Sequence, residues 1–172
     1  MDFNQQAQAR VGSIPGIYVG DHFLKKGYLA AVGLHRRPDS GIEYSKVDGV
    51  MNGTALSWAF RSRNWRGGST SVYKGSLESR EEAPSLVNPA NVAMVKSFTT
   101  GSPIHLMRQS FGSRDGNPFM YMGLYKIIGY EARGLLVGSH GEAFMQPHPN
   151  PTPNFFLTRI PGQVVEPTIQ LR

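Results

Sequence analysis

The sequence predicts an α+β domain in which a curved, partly closed β-barrel-like sheet is flanked by one or two helices. Its apolar runs are short, Gly, Pro or Asn separates them, and only one segment carries a full set of helix-boundary signals. With 20 glycines and 12 prolines in 172 residues, the backbone must turn often. Closure is expected because an open sheet of many short strands leaves edges that pair with other chains.

Seven apolar runs have lengths typical of strands. They are Ile17–Val19, Leu29–Leu34, Ala55–Phe60, Ile104–Met107, Leu124–Tyr130, Gly134–Val137 and Phe155–Ile160. The Pro- and His-rich segment Ser139–Asn154 is predicted to be an irregular surface loop, because proline donates no hydrogen bond to a strand ladder. This segment therefore separates two strands of one domain.

The clearest helix signal begins at Asn88. The Asn88 side chain suits the N-cap, and Pro89 suits the first helical position because it has no N–H to leave unpaired. Gly101 lies where the chain would leave the helix. A helix is therefore predicted from Pro89 towards Gly101.

Charge and cysteine content narrow the possible functions. The formal net charge of +6 favours anionic partners, among which nucleic acid is the commonest inside cells. The chain has no cysteine, which excludes disulfides, zinc fingers, thiolate metal sites and cysteine nucleophiles. His140, His148 and Glu142 have no spacing typical of a metal site, so no metal is expected.

Length and hydropathy predict one soluble domain. We expect it at residues 11–165, after a flexible N-terminus at 1–10 and before a C-terminal tail at 166–172. The N-terminus is polar, and no segment approaches the roughly 20 apolar residues that cross a bilayer. An intracellular protein without a membrane partner is therefore expected.

Five segments in collinear order carry a resemblance to a known family. The first, Val11–Tyr44, combines a Pro-Gly turn, a Val-Gly-Asp step and Leu34-His35 ahead of Gly41-Ile42. The others are Ala55–Phe60 with Val72–Ser76, Asn88–Ser97 with Gly101–Arg108, Tyr121–Lys126 and Phe156–Gln163. In this order they resemble the SRA (SET and RING finger associated) domain, also called the YDG domain, which reads modified cytosine in DNA.

The resemblance implies a PUA-like SRA fold that binds double-stranded DNA, flips one cytosine out of the duplex and holds it in a pocket. It implies a reader of 5-methylcytosine or another modified cytosine, without catalytic residues, metal or cofactor. Catalysis in the family comes from attached modules, so the further partners expected are chromatin or a nuclease. The expected location is the nucleus if the source is eukaryotic and the cytoplasm otherwise.

The resemblance also implies a base pocket. Tyr73 stands where the family has one stacking ring, the alternative being a ring in the core. Arg61 and Asn64 stand where the family has a second stacking Tyr and a carboxylate that reads the cytosine edge, and Asn offers donors as well as an acceptor. Trp65 is a second candidate for the missing ring, unless this segment is a solvated basic loop. Ser76 stands where a small residue faces the base substituent, or is a turn residue.

Nine residues are predicted to contact the DNA backbone or to lie on loops that reach the duplex. They are Arg36, Arg37, Asp39, Ser40, Gly41, Arg63, Arg66, Lys74 and Arg80. Asp39 either accepts a hydrogen bond from a cytosine amino group or stabilises a local turn. The segment Leu77–Pro84 is acidic apart from Arg80, and its alternative is an ordinary solvated loop. His35 is expected to pack and hydrogen-bond rather than to act as a base.

Two other functions are compatible with the same residues. One is an interaction or scaffold protein that keeps the SRA fold and has lost the base pocket, as the replaced residues at Arg61 and Asn64 suggest. The other is the recognition subunit of a modification-dependent nuclease whose catalytic chain is separate.

Overall fold

A computed structural model describes residues 12–36, 41–45, 53–61, 70–74, 88–109, 118–132, 135–145 and 153–163. Two helices and nine strands lie within these ranges. In chain order they are β1 (His22–Phe23), α1 (Lys26–Ala31), β2 (Ile42–Tyr44), β3 (Ala55–Arg61), β4 (Thr70–Lys74), α2 (Pro89–Thr100), β5 (Ile104–Gln109), β6 (Phe119–Ala132), β7 (Leu135–Val137), β8 (Ala143–Met145) and β9 (Asn154–Arg159).

All nine strands belong to one sheet built around the long strand β6. The main path runs β2-β3-β5-β6-β7-β8, while β1 and β9 also pair with β6, and β4 pairs with β9. The β3–β5 pair is parallel and the other pairs are antiparallel. The predicted α+β class with flanking helices is confirmed. Within the described ranges, however, the sheet stays open and does not close into a barrel.

Helix α2 begins and ends where the sequence predicts. The Asn88 side chain accepts a hydrogen bond from the backbone N–H of Ala90 at 2.9 Å, and Gly101 ends the helix with φ at 67°. This positive φ favours glycine because it has no side chain to clash. Inside the helix, the buried Ser97 hydroxyl accepts a hydrogen bond from Ala55 N–H at 2.9 Å, which ties α2 to the first residue of β3.

Helix α2 covers one face of the sheet. Its buried residues Ala93 and Met94 pack in a cluster with residues from five strands, among which Phe155 is fully buried. Burying a Phe side chain stabilises the fold by roughly 1.5–3 kcal/mol. The Tyr130 ring lies between Phe98 of α2 and Phe155, with centroid distances of 5.6 Å and 6.1 Å. We call the whole cluster, which also contains Phe60, Ile104 and Leu106, core 1.

The opposite face is covered by the N-terminal residues and α1. A second buried cluster, core 2, contains Leu29 and Leu34 together with Met107, Phe119 and Tyr121 of β5 and β6. The strand predicted at Leu29–Leu34 is therefore wrong, since this segment contains the second half of α1 and the turn that follows it. A short apolar run fits a buried strand and a buried helix equally well. Ala30 and Ala31 lie on the exposed side of the helix, but their apolar side chains do not mark that side in the sequence.

Two smaller predictions also need correction. At Ile17–Val19 no strand forms, and only a single bridge residue occurs there. The predicted loop Ser139–Asn154 contains β8, which pairs with β7, while residues 146–152 lie outside the described ranges. No described helix has the length and apolar character needed to cross a membrane.

Candidate nucleic-acid interface

Three chain connections meet at one end of the sheet. Strands β3 and β5 are parallel and end together, with Arg61 paired to Gln109, and β6 begins beside them. Ahead of β2, the Gly41 carbonyl accepts a hydrogen bond from Ala59 N–H at 2.8 Å, near the end of β3. We call this end the basic edge. By this name we mean the described residues Arg36, Gly41, Arg61, Arg108 and Gln109 together with the sequence segments attached to them, 37–40, 62–69 and 110–117, which lie outside the described ranges.

The basic edge concentrates the positive charge of the chain. Seven arginines and two aspartates, Asp39 and Asp115, fall in it, so it carries +5 of the formal net charge of +6. The arginines are Arg36, Arg37, Arg61, Arg63, Arg66, Arg108 and Arg114. Segments with a net positive charge favour a polyanion as partner, because charges of one sign add their potentials.

In two of these arginines the buried Nε makes no hydrogen bond. Among the described residues, three buried side-chain polar atoms lack a hydrogen bond: Arg36 Nε, Arg108 Nε and Asn154 Oδ1. Arg36 Nε lies 4.0 Å from Glu43 Oε1, which is beyond hydrogen-bonding distance. Buried donors are nearly always paired in folded proteins, so these two Nε atoms are exceptions among the described residues.

Behind the basic edge lies a satisfied polar network of His35, Glu43 and Ser57. The Ser57 hydroxyl lies 2.9 Å from His35 Nδ1 and donates to Glu43 Oε2 at 3.2 Å. The same Glu43 oxygen accepts from the backbone N–H of Arg36 at 2.6 Å. The network thus joins the chain on both sides of connection 37–40.

This network does not form a catalytic triad. In a triad the histidine lies between the serine and the acid, whereas here the histidine and the carboxylate both contact Ser57. The three residues are also at most 6% exposed, which leaves no room for a substrate. The prediction that His35 packs and hydrogen-bonds is confirmed.

The segments Tyr121–Lys126 and Phe156–Gln163 form a second satisfied polar contact. Gln163 Oε1 accepts from Leu124 N–H at 2.5 Å, and its Nε2 donates to the Leu124 carbonyl at 2.7 Å and to that of Ile160 at 2.6 Å. Gly123 makes this approach possible, because its φ is 104° and a Cβ there would lie 2.5 Å from Gln163 Oε1. We call this contact the glutamine clasp.

A buried His–Tyr pair lies beside the clasp. His105 Nδ1 and the Tyr121 hydroxyl are 2.8 Å apart, and both residues are less than 5% exposed. Burial raises the pKa of Tyr121 far above its ordinary value, so its phenol stays protonated. A cleft of about 450 Å³ opens nearby, between residues 13–19 and the turn at Gly162–Gln163. Its described lining does not include Arg36 or Gly41, the two predicted site residues whose side-chain environment the structure describes.

The structure describes part of the predicted site. Arg36 and Gly41 lie at the basic edge, and Arg61 ends β3 there. Tyr73 and Lys74 lie on β4, where their backbones pair with Phe155 and Asn154 of β9. The other predicted residues lie outside the described ranges: Asn64, Trp65, Ser76, Arg37, Asp39, Ser40, Arg63, Arg66 and Arg80.

The sheet register does not bring Arg61 and Tyr73 side by side. Arg61 belongs to the row that ends at Phe119 of β6, whereas Tyr73 belongs to the row of Tyr130, eleven positions further along that strand. Arg108 is the site candidate that sequence reasoning missed. The sequence feature that could have indicated it is its position as the last residue of the family-like segment Gly101–Arg108.

Comparison with known proteins identifies the fold and the family. The SAD/SRA domain family model matches residues 10–163. A YDG domain-containing protein of Arabidopsis thaliana is 29% identical over 170 residues, which is 91% of this chain and 47% of that protein. SUVH6, an H3 lysine-9 specific histone-lysine N-methyltransferase of the same plant, is 27% identical over 173 residues, covering 89% of this chain and 20% of that protein.

A solved structure gives the same result. The SUVH5 SRA domain in complex with methylated CHH DNA is 30% identical and has a TM-score of 0.66, covering 91% of this chain and 97% of that one. The chain spans about half the length of the YDG relative and about a fifth of SUVH6. It therefore belongs to the SAD/SRA domain family, as its five collinear segments predicted.

Proposed function

We propose that this protein binds double-stranded DNA through its basic edge and reads a modified cytosine flipped out of the duplex. The observation that carries the proposal is that the sequence segments attached to one end of the sheet, residues 36–41, 61–69 and 108–117, carry +5 of the formal net charge of +6. Family membership supports it, since the related SUVH5 SRA domain was solved in complex with methylated DNA. Phosphate neutralisation by arginines supplies affinity, while the pocket supplies selectivity.

In this proposal the flipped base lies among Tyr73, Asn64, Ser76 and either Arg61 or Trp65. Stacking on an aromatic ring or on a guanidinium plane contributes roughly 1–3 kcal/mol per base. Asn64 hydrogen-bonds the cytosine edge, and Ser76 leaves room for a substituent at position 5 of the base. Because Arg61 and Tyr73 occupy distant rows of the sheet, Arg61 is the weaker of the two candidates for the second stacking group.

The phosphates are contacted by the arginines of the basic edge and, in addition, by Lys74 and Arg80. Asp39 and Ser40 belong to the connection that approaches the duplex, and Gly41 anchors its end through the hydrogen bond to Ala59. The buried network at Glu43 supports this connection from behind, because it fixes the backbone of Arg36. A rigid base for the connection lowers the entropy lost when it meets DNA.

The chain in this proposal is a binding module and performs no bond chemistry. Its relative SUVH6 is named as a histone-lysine N-methyltransferase, and this chain corresponds to only 20% of that protein. We place the protein in the nucleus and on chromatin, because that relative is specific for a histone residue.

A specific observation favours one alternative, a scaffold protein without base reading. Arg61 and Asn64 replace the aromatic ring and the carboxylate that the family uses around the base. Under this alternative the basic edge binds DNA, or another polyanion, without preference for a modification.

Titration of the protein with three otherwise identical duplexes tests the proposal. The duplexes contain one 5-methylcytosine, one 5-hydroxymethylcytosine or no modification, and affinity is measured by fluorescence anisotropy at about 50 and 200 mM salt. We expect a steep loss of affinity with salt for all three and tighter binding of one modified duplex. Equal binding of the three would leave the scaffold alternative, and absence of salt-dependent binding would remove DNA binding itself.

A further inference from the structure

We propose that Arg108 is a phosphate-binding residue of the DNA interface. The inference rests on the proposed function, because it assigns a further contact to the same edge. Arg108 lies on β5, one residue before the strand ends, and pairs with Phe60 on one side and Met120 on the other.

Arg108 lies beside buried residues of core 1. Ile104 and Leu106 belong to core 1, and strand alternation puts Arg108 on the same side of β5. Its parallel partner Phe60 also belongs to core 1 and is 4% exposed. Arg108 therefore lies at the point where core 1 meets the basic edge.

The polar contacts of Arg108 are incomplete in the free protein. Its Nε is buried without a hydrogen-bond partner, although the residue as a whole is partly exposed. A buried donor that has lost water and gained no acceptor is unfavourable. The terminal N–H groups of the same partly exposed guanidinium are the ones that a phosphate reaches, and their planar arrangement offers two parallel N–H groups that match a phosphate.

Comparison with Arg36 sharpens the assignment. Arg36 has Glu43 within 4.0 Å, and its backbone is already bound to that carboxylate. Glu43 pairs with Ser57 on the core 2 side of the sheet, whereas Arg108 lies on the core 1 side. The basic edge thus presents one partly exposed arginine on each side of the sheet, which suits contacts to two different phosphates of one duplex.

The test uses Arg108→Gln and Arg108→Lys, with Lys126→Gln as the control. Lys126 is an exposed cation on β6 outside the basic edge, so its removal changes the net charge equally. We expect Arg108→Gln to weaken binding of methylated and unmodified duplexes alike, by about tenfold. The slope of log affinity against log salt should fall by about one. Arg108→Lys should lose less, because it keeps the charge without the Nε donor, and Lys126→Gln should bind as the wild type.

Thermal unfolding without DNA separates a binding role from a structural one. Since Arg108→Gln removes an unpaired buried donor, its Tm should not fall below that of the wild type. A lower Tm, or unchanged affinity and salt slope in Arg108→Gln, would overturn the assignment. If the wild type binds DNA with a steep salt dependence and only Arg108→Gln is without effect, the proposed function survives. If the wild type binds no duplex, both fall.

Discussion

The basic edge and the glutamine clasp use polar residues in opposite ways. At the clasp, Gln163 makes three short hydrogen bonds to backbone atoms of Leu124 and Ile160. At the basic edge, Arg36 and Arg108 each have a buried Nε without a hydrogen-bond partner, although Arg36 Nε lies 4.0 Å from Glu43 Oε1. Completed hydrogen bonds stabilise the fold, whereas partly exposed arginines with incomplete hydrogen bonding keep donors for a ligand.

The difference explains what the family motifs report. The motif residues take part in contacts inside the protein. In the opening segment these are Leu34, His35, Gly41 and Glu43, and in the later segments Gly123 and Gln163. Their retention identifies the fold. Recognition of DNA is proposed for other residues, so a chain can keep these motifs while its base pocket diverges.

The largest effect should come from breaking the network behind the basic edge. Glu43→Ala removes the acceptor of Arg36 N–H and Ser57 and leaves His35 and Arg36 without a nearby carboxylate. We expect a loss of about 3–5 kcal/mol in the free energy of unfolding, measured by chemical denaturation.

The matched control for this prediction is Glu142→Ala. Glu142 is exposed and accepts one hydrogen bond, from His140 N–H. Its loss should cost less than about 1 kcal/mol. Similar losses in both variants would mean that the buried network contributes nothing beyond an exposed hydrogen bond.

A smaller effect should follow from a methyl group at the clasp. Gly123→Ala meets both an unfavourable φ of 104° and the Gln163 side chain. We expect a loss of about 2–3 kcal/mol, of which roughly 1–2 kcal/mol comes from the backbone conformation. Denaturant unfolding of Gly123→Ala and Gly141→Ala provides the measurement.

Gly141 isolates the backbone contribution. Its φ is 79°, and a Cβ there meets no atom within 4 Å. Gly141→Ala should therefore lose only the conformational part. If the two variants are equally destabilised, the close approach of Gln163 does not matter to the fold.

The elements that local chemistry determines could be predicted from the sequence. Helix α2 was predicted because its N-cap, first-turn proline and terminal glycine act within a few residues of each other. Five of the seven predicted strands coincide with β3, β5, β6, β7 and β9, because a short apolar run bounded by Gly, Pro or Asn is also a local signal. Helix α1 was not, because the run Leu29–Leu34 is buried on the sheet and burial alone does not distinguish a helix from a strand.

The parts of the site that depend on tertiary contacts could not be predicted. Glu43 reads in the sequence as an ordinary strand residue, and only the pairing of β2 with β3 places it at Ser57. Likewise, only the pairing of β5 with the end of β3 places Arg108 at the basic edge. The unpaired Nε atoms of Arg36 and Arg108 depend on packing around each side chain, which no spacing in the sequence expresses.

Hydrogen–deuterium exchange with and without a methylated duplex tests the central claim most directly, because it compares the two regions in one experiment. DNA should protect the amides of Arg36, Gly41, Arg61, Arg108 and Gln109 at the basic edge. Exchange should stay unchanged in the cleft segment 13–19, at Gln163 and in the β7–β8 hairpin. Protection confined to those last regions, with the basic edge unaffected, would contradict the account.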